Sequence, residues 1–173
     1  MPDEPDPSFT DLSVAISMPC EGWLKVLPQA DQICRTAAEA AYTGAAQNHD
    51  VTTEISIVLA DDPMVHDLNR DYRNQDKATN VLSFPLGDEG VTPDGGLRML
   101  GDVILSLDTT AREATQQAKS LSAHTSHLVV HGVLHLIGFD HEDDGDAEEM
   151  ESLERQILAT LNIADPYLVE TVS

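Results

Sequence analysis

The sequence predicts one domain in which helices pack on a sheet of three or four strands. Three observations predict it. Apolar residues at period two recur at 54–60, 79–85 and 98–106. Helix-like stretches with recognisable start and stop signals lie between and after them. A segment at 124–137 is too oily to face solvent as a helix. A chain of 173 residues with 41% hydrophobic residues can build one substantial core, whereas two domains would each be small.

In chain order, residues 1–18 read as an N-terminal lead or an edge strand around FTDLSVAIS. The Ala- and Gln-rich stretch 27–46 is predicted to be helical. EISIVLA at 54–60 carries Ile55, Ile57 and Leu59 at period two with Val58 between, a strand buried on at least one face. Asp61 or Asp62 can cap a short helix to about residue 70, with Pro63 in its first turn. TNVLSFP at 79–85 is a second strand stopped by Pro85, and LGDEGVTPDGG is a surface loop. RMLGDVILS at 98–106 is a third strand, followed by a capped, polar-faced helix in LDTTAREATQQAKSLS. Residues 124–137 form a core helix, and 146–161 a last one with Met150, Leu153, Ile157 and Leu158 on one stripe. The expected boundaries are a lead at 1–18, the domain at 19–162 and a C-terminal tail at 163–173.

Charge narrows the function. Thirty-one acids against 9 Lys+Arg give a formal net charge of -22, mostly a solvated acidic surface that repels free nucleic acid at long range. A polyanionic substrate then needs a local basic site or a carrier partner. The run 142–154 holds eight acids and no base and reads as a solvated helix face. Cys20 and Cys34 form no redox, zinc or disulfide pattern, which favours a reducing cytosol. MPDEPDPSFTDLS is acidic where a signal peptide is basic, and no apolar run reaches membrane length, so the expectation is a cytoplasmic protein with no membrane partner.

The chemistry concentrates in HLVVHGVLHLIGFDHEDDGDAEEM, residues 127–150. His131 and His135 lie four apart, on one helix face about one turn from each other, where two imidazoles can share a zinc. On a continuing helix His141 would point roughly 240° away from His135. Gly138 can end the helix by adopting left-handed dihedrals, and the chain can then bring His141 back. Three protein ligands with an open fourth position is the catalytic zinc arrangement. A single histidine on an apolar helix is more often a satisfied core residue, but three with a glycine at the required break are hard to explain by packing. His127 is the rival ligand and is assigned to the core or to ligand support, because a trio at i, i+4 and i+8 spreads over about 12 Å of helix. His124 is expected to be exposed near the helix start, while His49 and His66 carry no signal. The spacing is zincin-like, matching HExxHxxGxxH proteases, but Gly132 stands where their glutamate base would be, which removes most support for peptidase chemistry.

HGVLHLIGFDH at 131–141 resembles the signature of the YbeY family of rRNA-maturation endoribonucleases. LNRDYRNQDKATNVLSF at 68–84 resembles that family's upstream block, and LGDVILS at 100–106 its following strand. The resemblance runs from about residue 54 to 158. It implies a single-domain α+β fold, a small mixed sheet packed with helices around a zincin-like metal-binding helix. It further implies that 19–162 is a metal-dependent endoribonuclease domain with one Zn2+ on His131, His135 and His141. The implied activity is single-strand-specific cleavage in 16S rRNA 3′-end maturation and ribosome quality control. The implied partners are single-stranded rRNA and the ribosome or small-subunit proteins, with no DNA. The upstream block's arginine lands on Arg73, which would face the phosphate beside a zinc-bound water. Taken alone, Arg73 is one of nine Lys+Arg, although Arg70, Arg73 and Lys77 do cluster. The family's usual aspartate is here Asn80, which keeps an acceptor and loses the charge, so a role for that position as a base or as Arg73's electrostatic partner is not carried over. Asp140 is expected to orient a ligand histidine or shape the turn. A zinc hydrolase of a non-RNA substrate and a ribosome-assembly factor with a mainly structural zinc are the alternatives.

Overall fold

The computed structural model describes residues 12–45, 52–92, 96–139 and 143–167. Strand β1 (Leu12–Ser17) leads into a short helix α1 (Gly22–Val26) and a long one, α2 (Ala30–Gly44). Strand β2 (Thr52–Ala60), helix α3 (Asp62–Arg73), strand β3 (Val81–Pro85) and a 3-10 turn at Gly87–Gly90 follow. Strand β4 (Leu97–Ser106) then feeds α4 (Leu107–Gln116), α5 (Leu121–Ile137) and α6 (Asp144–Thr160).

The sheet order is β1-β2-β4-β3. β1, β2 and β4 run parallel, and β3 pairs antiparallel with β4, so the sheet is mixed. This is the expected α+β class, and β1 lies at one edge of the sheet.

Alternation along the strands divides the interior. Ile55, Ile57 and Leu59 of β2 and Val103 and Leu105 of β4 join α2, α5 and α6 in the main core. On the opposite face Ala60, Leu82 and Ile104 pack with Val65 of α3. Leu100 also faces the main core although it lies an odd number of residues from Val103. The reason is a bulge: Glu54 pairs with Met99 and Ile55 with Gly101, leaving Leu100 as the extra residue. Gly101 is needed there, at φ 139° with the Phe84 carbonyl 2.1 Å from where a Cβ would stand.

Helix α5 is central and touches α2, α4, α6, β3 and β4. Ser120 caps it, its hydroxyl accepting the Ala123 N–H at 3.0 Å. The helix therefore starts before the predicted residue 124, and Ala118 at φ 54° separates it from α4. Gly132 lets α5 approach the sheet, since a Cβ there would lie 2.7 Å from a Val103 methyl. Position 132 thus faces β4 and has no room for the side chain of a general base.

Three other boundaries differ from expectation for local reasons. The five residues of α1 are too few to show a period, yet Trp23 within it is fully buried and its indole N–H donates to the Ala60 carbonyl at 2.9 Å. Pro28 follows α1, and α2 begins only at Ala30. Helix α3 is capped by Asp61 as expected but runs one turn further, to Arg73, where Asn74 ends it at φ 56°. No helix among the described residues is long and apolar enough to cross a membrane.

Candidate functional site

His131 and His135 face the same way from the last two turns of α5. Their ring centroids are 4.5 Å apart and their Nε2 atoms 3.0 Å apart. Both line a cleft of about 670 Å³ between the end of α5 and strand β3, together with Arg73, Asn80, Ser83 and Phe139. Helix α5 ends as predicted. Gly138 at φ 123° donates to the Leu134 and His135 carbonyls, and Phe139 N–H reaches back to Leu134 at 3.0 Å. His141 and Asp140 lie just after this turn, outside the described residues. Among the described residues no group of three His, Cys, Asp or Glu side chains converges as a metal cage.

Arg73 reaches the cleft from the final turn of α3. Its Nη2 donates to the Ser83 carbonyl, and the guanidinium lies 5.2 Å from the centre of the Phe84 ring. The extra helical turn, ended at Asn74, is what brings this arginine to the histidines. The start of α3 is fixed as well: the Asp62 carboxylate accepts from Ser106 and from Thr109, the latter at 2.7 Å. Burial would raise the Asp62 pKa, but these bonds and Arg112 hold it below the usual carboxylate range.

The neighbouring bases are less uniform than their spacing suggests. Arg70 is exposed and engaged by Asp67 at 3.2 Å and Asp71 at 3.1 Å. The local positive charge at the cleft therefore belongs mainly to Arg73, with Lys77 nearby in sequence.

The acidic run conceals the carboxylate that spacing missed. Glu154 of α6 is fully buried, its Oε1 2.5 Å from His131 Nδ1, while Tyr167 donates its hydroxyl to Oε2. Burial alone would push this carboxyl up. Hydrogen bonds from His131 and Tyr167, with the His127 ring close by, outweigh it and lower the pKa to about 2. The expected solvated face is thus broken at one position. The signal available in the sequence was that Glu154 sits one residue after Leu153 and one turn before Leu158 on the apolar side of the last helix.

His127 and His124 are occupied elsewhere. His127 Nε2 is 3.3 Å from the Tyr167 hydroxyl, which agrees with a supporting rather than a ligating place. His124 is buried, not exposed: α5 begins earlier than expected, so this residue sits inside the packing of α4 on α5 and its Nε2 meets Glu113 at 3.0 Å. Burial lowers its pKa despite that carboxylate. Asn80 uses both ends of its amide, its Oδ1 accepting the Val81 N–H at 2.7 Å and its Nδ2 donating to the same Glu113 oxygen at 2.9 Å. An aspartate could not make the second bond.

The sequence profile of the family described as Endoribonuclease YbeY matches residues 25–162. A protein of Paramagnetospirillum magneticum named Endoribonuclease YbeY is 50% identical over 158 residues, 90% of this chain and 96% of that protein. The Azorhizobium caulinodans protein of the same name is 50% identical over 149 residues, 85% of this chain and 91% of its own length. A solution structure from Thermotoga maritima shares the fold with a TM-score of 0.51 at 20% identity, covering 91% of this chain and all of that one. A profile match over most of the chain and relatives half identical along nearly their full length place this chain in the YbeY endoribonuclease family.

Proposed function

We propose that this chain is a zinc-dependent endoribonuclease specific for single strands, acting in 16S rRNA 3′-end maturation and ribosome quality control in the cytoplasm. His131, His135 and His141 are the zinc ligands in this reading, and Arg73 is the cation facing the scissile phosphate. The observation that carries it is the meeting of His131, His135 and Arg73 in one cleft, from segments about 60 residues apart, in a chain of the endoribonuclease family.

The residues present fit a zinc. Two nitrogens bound at about 2.0–2.1 Å in tetrahedral geometry stand about 3.3 Å apart, and the two Nε2 atoms, 3.0 Å apart, need separate by only about 0.3 Å. The buried Glu154 carboxylate is surrounded by imidazoles and a phenol, with no Lys or Arg bonded to it among the described residues. A buried anion calls for a compensating positive charge, which a divalent cation held by His131 and His135 would supply. When bound, such a metal provides Lewis acidity and an activated water.

The chain's own groups do the rest. Arg73, oriented by the Ser83 carbonyl, presents a planar cation to charge developing on a phosphodiester. Gly132, packed against Val103, leaves no glutamate base for peptide hydrolysis. The acidic surface makes recruitment through a ribosomal partner more effective than capture of free RNA.

The test is cleavage of one RNA sequence presented as a single strand and as a duplex, with and without a chelator. Cleavage confined to the single strand and abolished by chelation is expected. Cleavage unaffected by chelation, or by replacing each of the three histidines in folded protein, would instead favour an assembly factor whose zinc is structural. Peptide cleavage without RNA cleavage would favour the non-RNA hydrolase.

A further inference from the structure

We propose that Glu154 and Tyr167 are positioning residues that fix the ring of His131, which makes the segment following α6 a working part of the site. The metal-affinity consequence rests on the zinc reading above; the ring orientation does not.

An ionised carboxylate only accepts hydrogen bonds. With Glu154 Oε1 2.5 Å from His131 Nδ1, that nitrogen carries a proton, which in the neutral ring leaves the lone pair on Nε2. Nε2 is the atom that meets His135 at the cleft. The other carboxylate oxygen is held by the Tyr167 hydroxyl. Because that hydroxyl spends its proton on Glu154, its oxygen accepts from His127 Nε2 at 3.3 Å. Direct contact between His127 and Glu154 is 3.7 Å, too long for a hydrogen bond. The order is therefore His127 to Tyr167 to Glu154, with His131 donating from the other side.

Tyr167 is itself held. Its backbone N–H donates to Asp165 at 2.8 Å, Asp165 pairs with Arg155 of α6 at 3.1 Å, and the Arg155 guanidinium lies 5.4 Å from the centre of the Tyr167 ring. The His127 ring meets the same ring edge-on, with centroids 5.5 Å apart. These contacts strap residues 165–167 onto α6 and deliver one hydroxyl to a carboxylate that burial would otherwise leave half satisfied. A freely solvated tail would show none of them.

Two measurements on the full chain test the proposal. Long-range nitrogen–proton NMR of the metal-free protein reads the tautomer of His131, and chelator competition reads the zinc affinity of wild type, Tyr167→Phe, Glu154→Gln and Glu154→Leu. In wild type His131 should be protonated at Nδ1 alone. Glu154→Leu should shift the tautomer toward Nε2–H and weaken zinc by about 10–100-fold, the range for loss of a group that orients a ligand. Glu154→Gln, which keeps an acceptor, should recover part of both. Tyr167→Phe keeps the ring and should weaken zinc by about 10-fold, that range's lower edge. A wild-type His131 protonated at Nε2 overturns the proposal without any variant. Tyr167→Phe matching wild type in both readouts removes Tyr167 from it. Correct tautomers in a wild type that binds no zinc would support the relay and sink the zinc reading instead.

Discussion

Two pairs of histidines share helix α5, and they do opposite things. His131 and His135 turn their Nε2 atoms into the cleft beside Arg73, whereas His124 and His127 turn theirs to Glu113 and Tyr167 in the interior. Spacing cannot separate them, since His127 and His131 are as far apart in sequence as His131 and His135. What separates them is the neighbour on the other side. The C-terminal half of α5 meets the end of β3 and the Gly138 turn, which leave a gap, and the N-terminal half meets Glu113 of α4 and Tyr167 beyond α6, which fill it. The same ring is therefore a candidate ligand or a structural donor according to what packs against it.

The sharpest way to break this comparison is one replacement in each half. His135→Ala should abolish both retained zinc and RNA cleavage, while His127→Ala should keep zinc binding within about 100-fold of wild type, since it removes support rather than a ligand. Equal loss of metal from both variants, measured by elemental analysis, would erase the distinction.

Arg73 separates metal from phosphate. Arg73→Ala should leave folding and zinc content unchanged and slow single-turnover cleavage of single-stranded RNA by about 100-fold or more, the order for loss of a transition-state donor. Arg73→Lys should recover only part, because a point charge lacks the planar fork. A rate for Arg73→Ala within about threefold of wild type would remove this residue from the chemistry.

Acid probes the buried carboxylate. Its folded pKa of about 2 lies below the ordinary 4.5, so its contribution to stability is complete above the ordinary value and is lost as pH falls toward the folded one. Denaturant melts of metal-free protein should show stability declining from about pH 5 downward. Glu154→Gln should flatten that decline, and an unchanged pH slope would show that Glu154 is not the group responsible.

The smallest effect concerns Glu113, where the His124 half of the helix meets the cleft wall. Asn80→Asp replaces a donor by a second carboxylate at 2.9 Å and should cost about 1 kcal/mol at neutral pH, the scale of one lost hydrogen bond. The deficit should shrink as pH falls and one carboxyl takes up a proton. Thermal melts at pH 7 and pH 5 compare the two chains directly, and a deficit that grows in acid would be the wrong sign.

Much of this was legible in the sequence. Period two in EISIVLA, the Asp61 cap and the glycine that ends α5 report local physics, and the structure follows them. Arg73 was legible only through the resemblance, because no local pattern says that α3 runs one further turn and ends facing the histidines. Glu154 was hidden by its neighbours: inside eight acids a single buried one carries no compositional mark, and its partners Tyr167 and His131 are 13 and 23 residues away. The exposure expected of His124 failed for a related reason. The apolar pattern begins only at 124, the helix itself starts after the Ser120 cap, and the burial of that first turn depends on α4, a separate element.

The central claim is that a metal held by the histidines at the end of α5 performs RNA cleavage. The most direct measurement takes one preparation, purified without added metal, and follows zinc content and single-turnover cleavage of single-stranded RNA together as a chelator strips it. The expected result is about one zinc per chain at the start and activity that falls in proportion to the zinc removed. Full cleavage at less than about a tenth of an equivalent of any transition metal would contradict it.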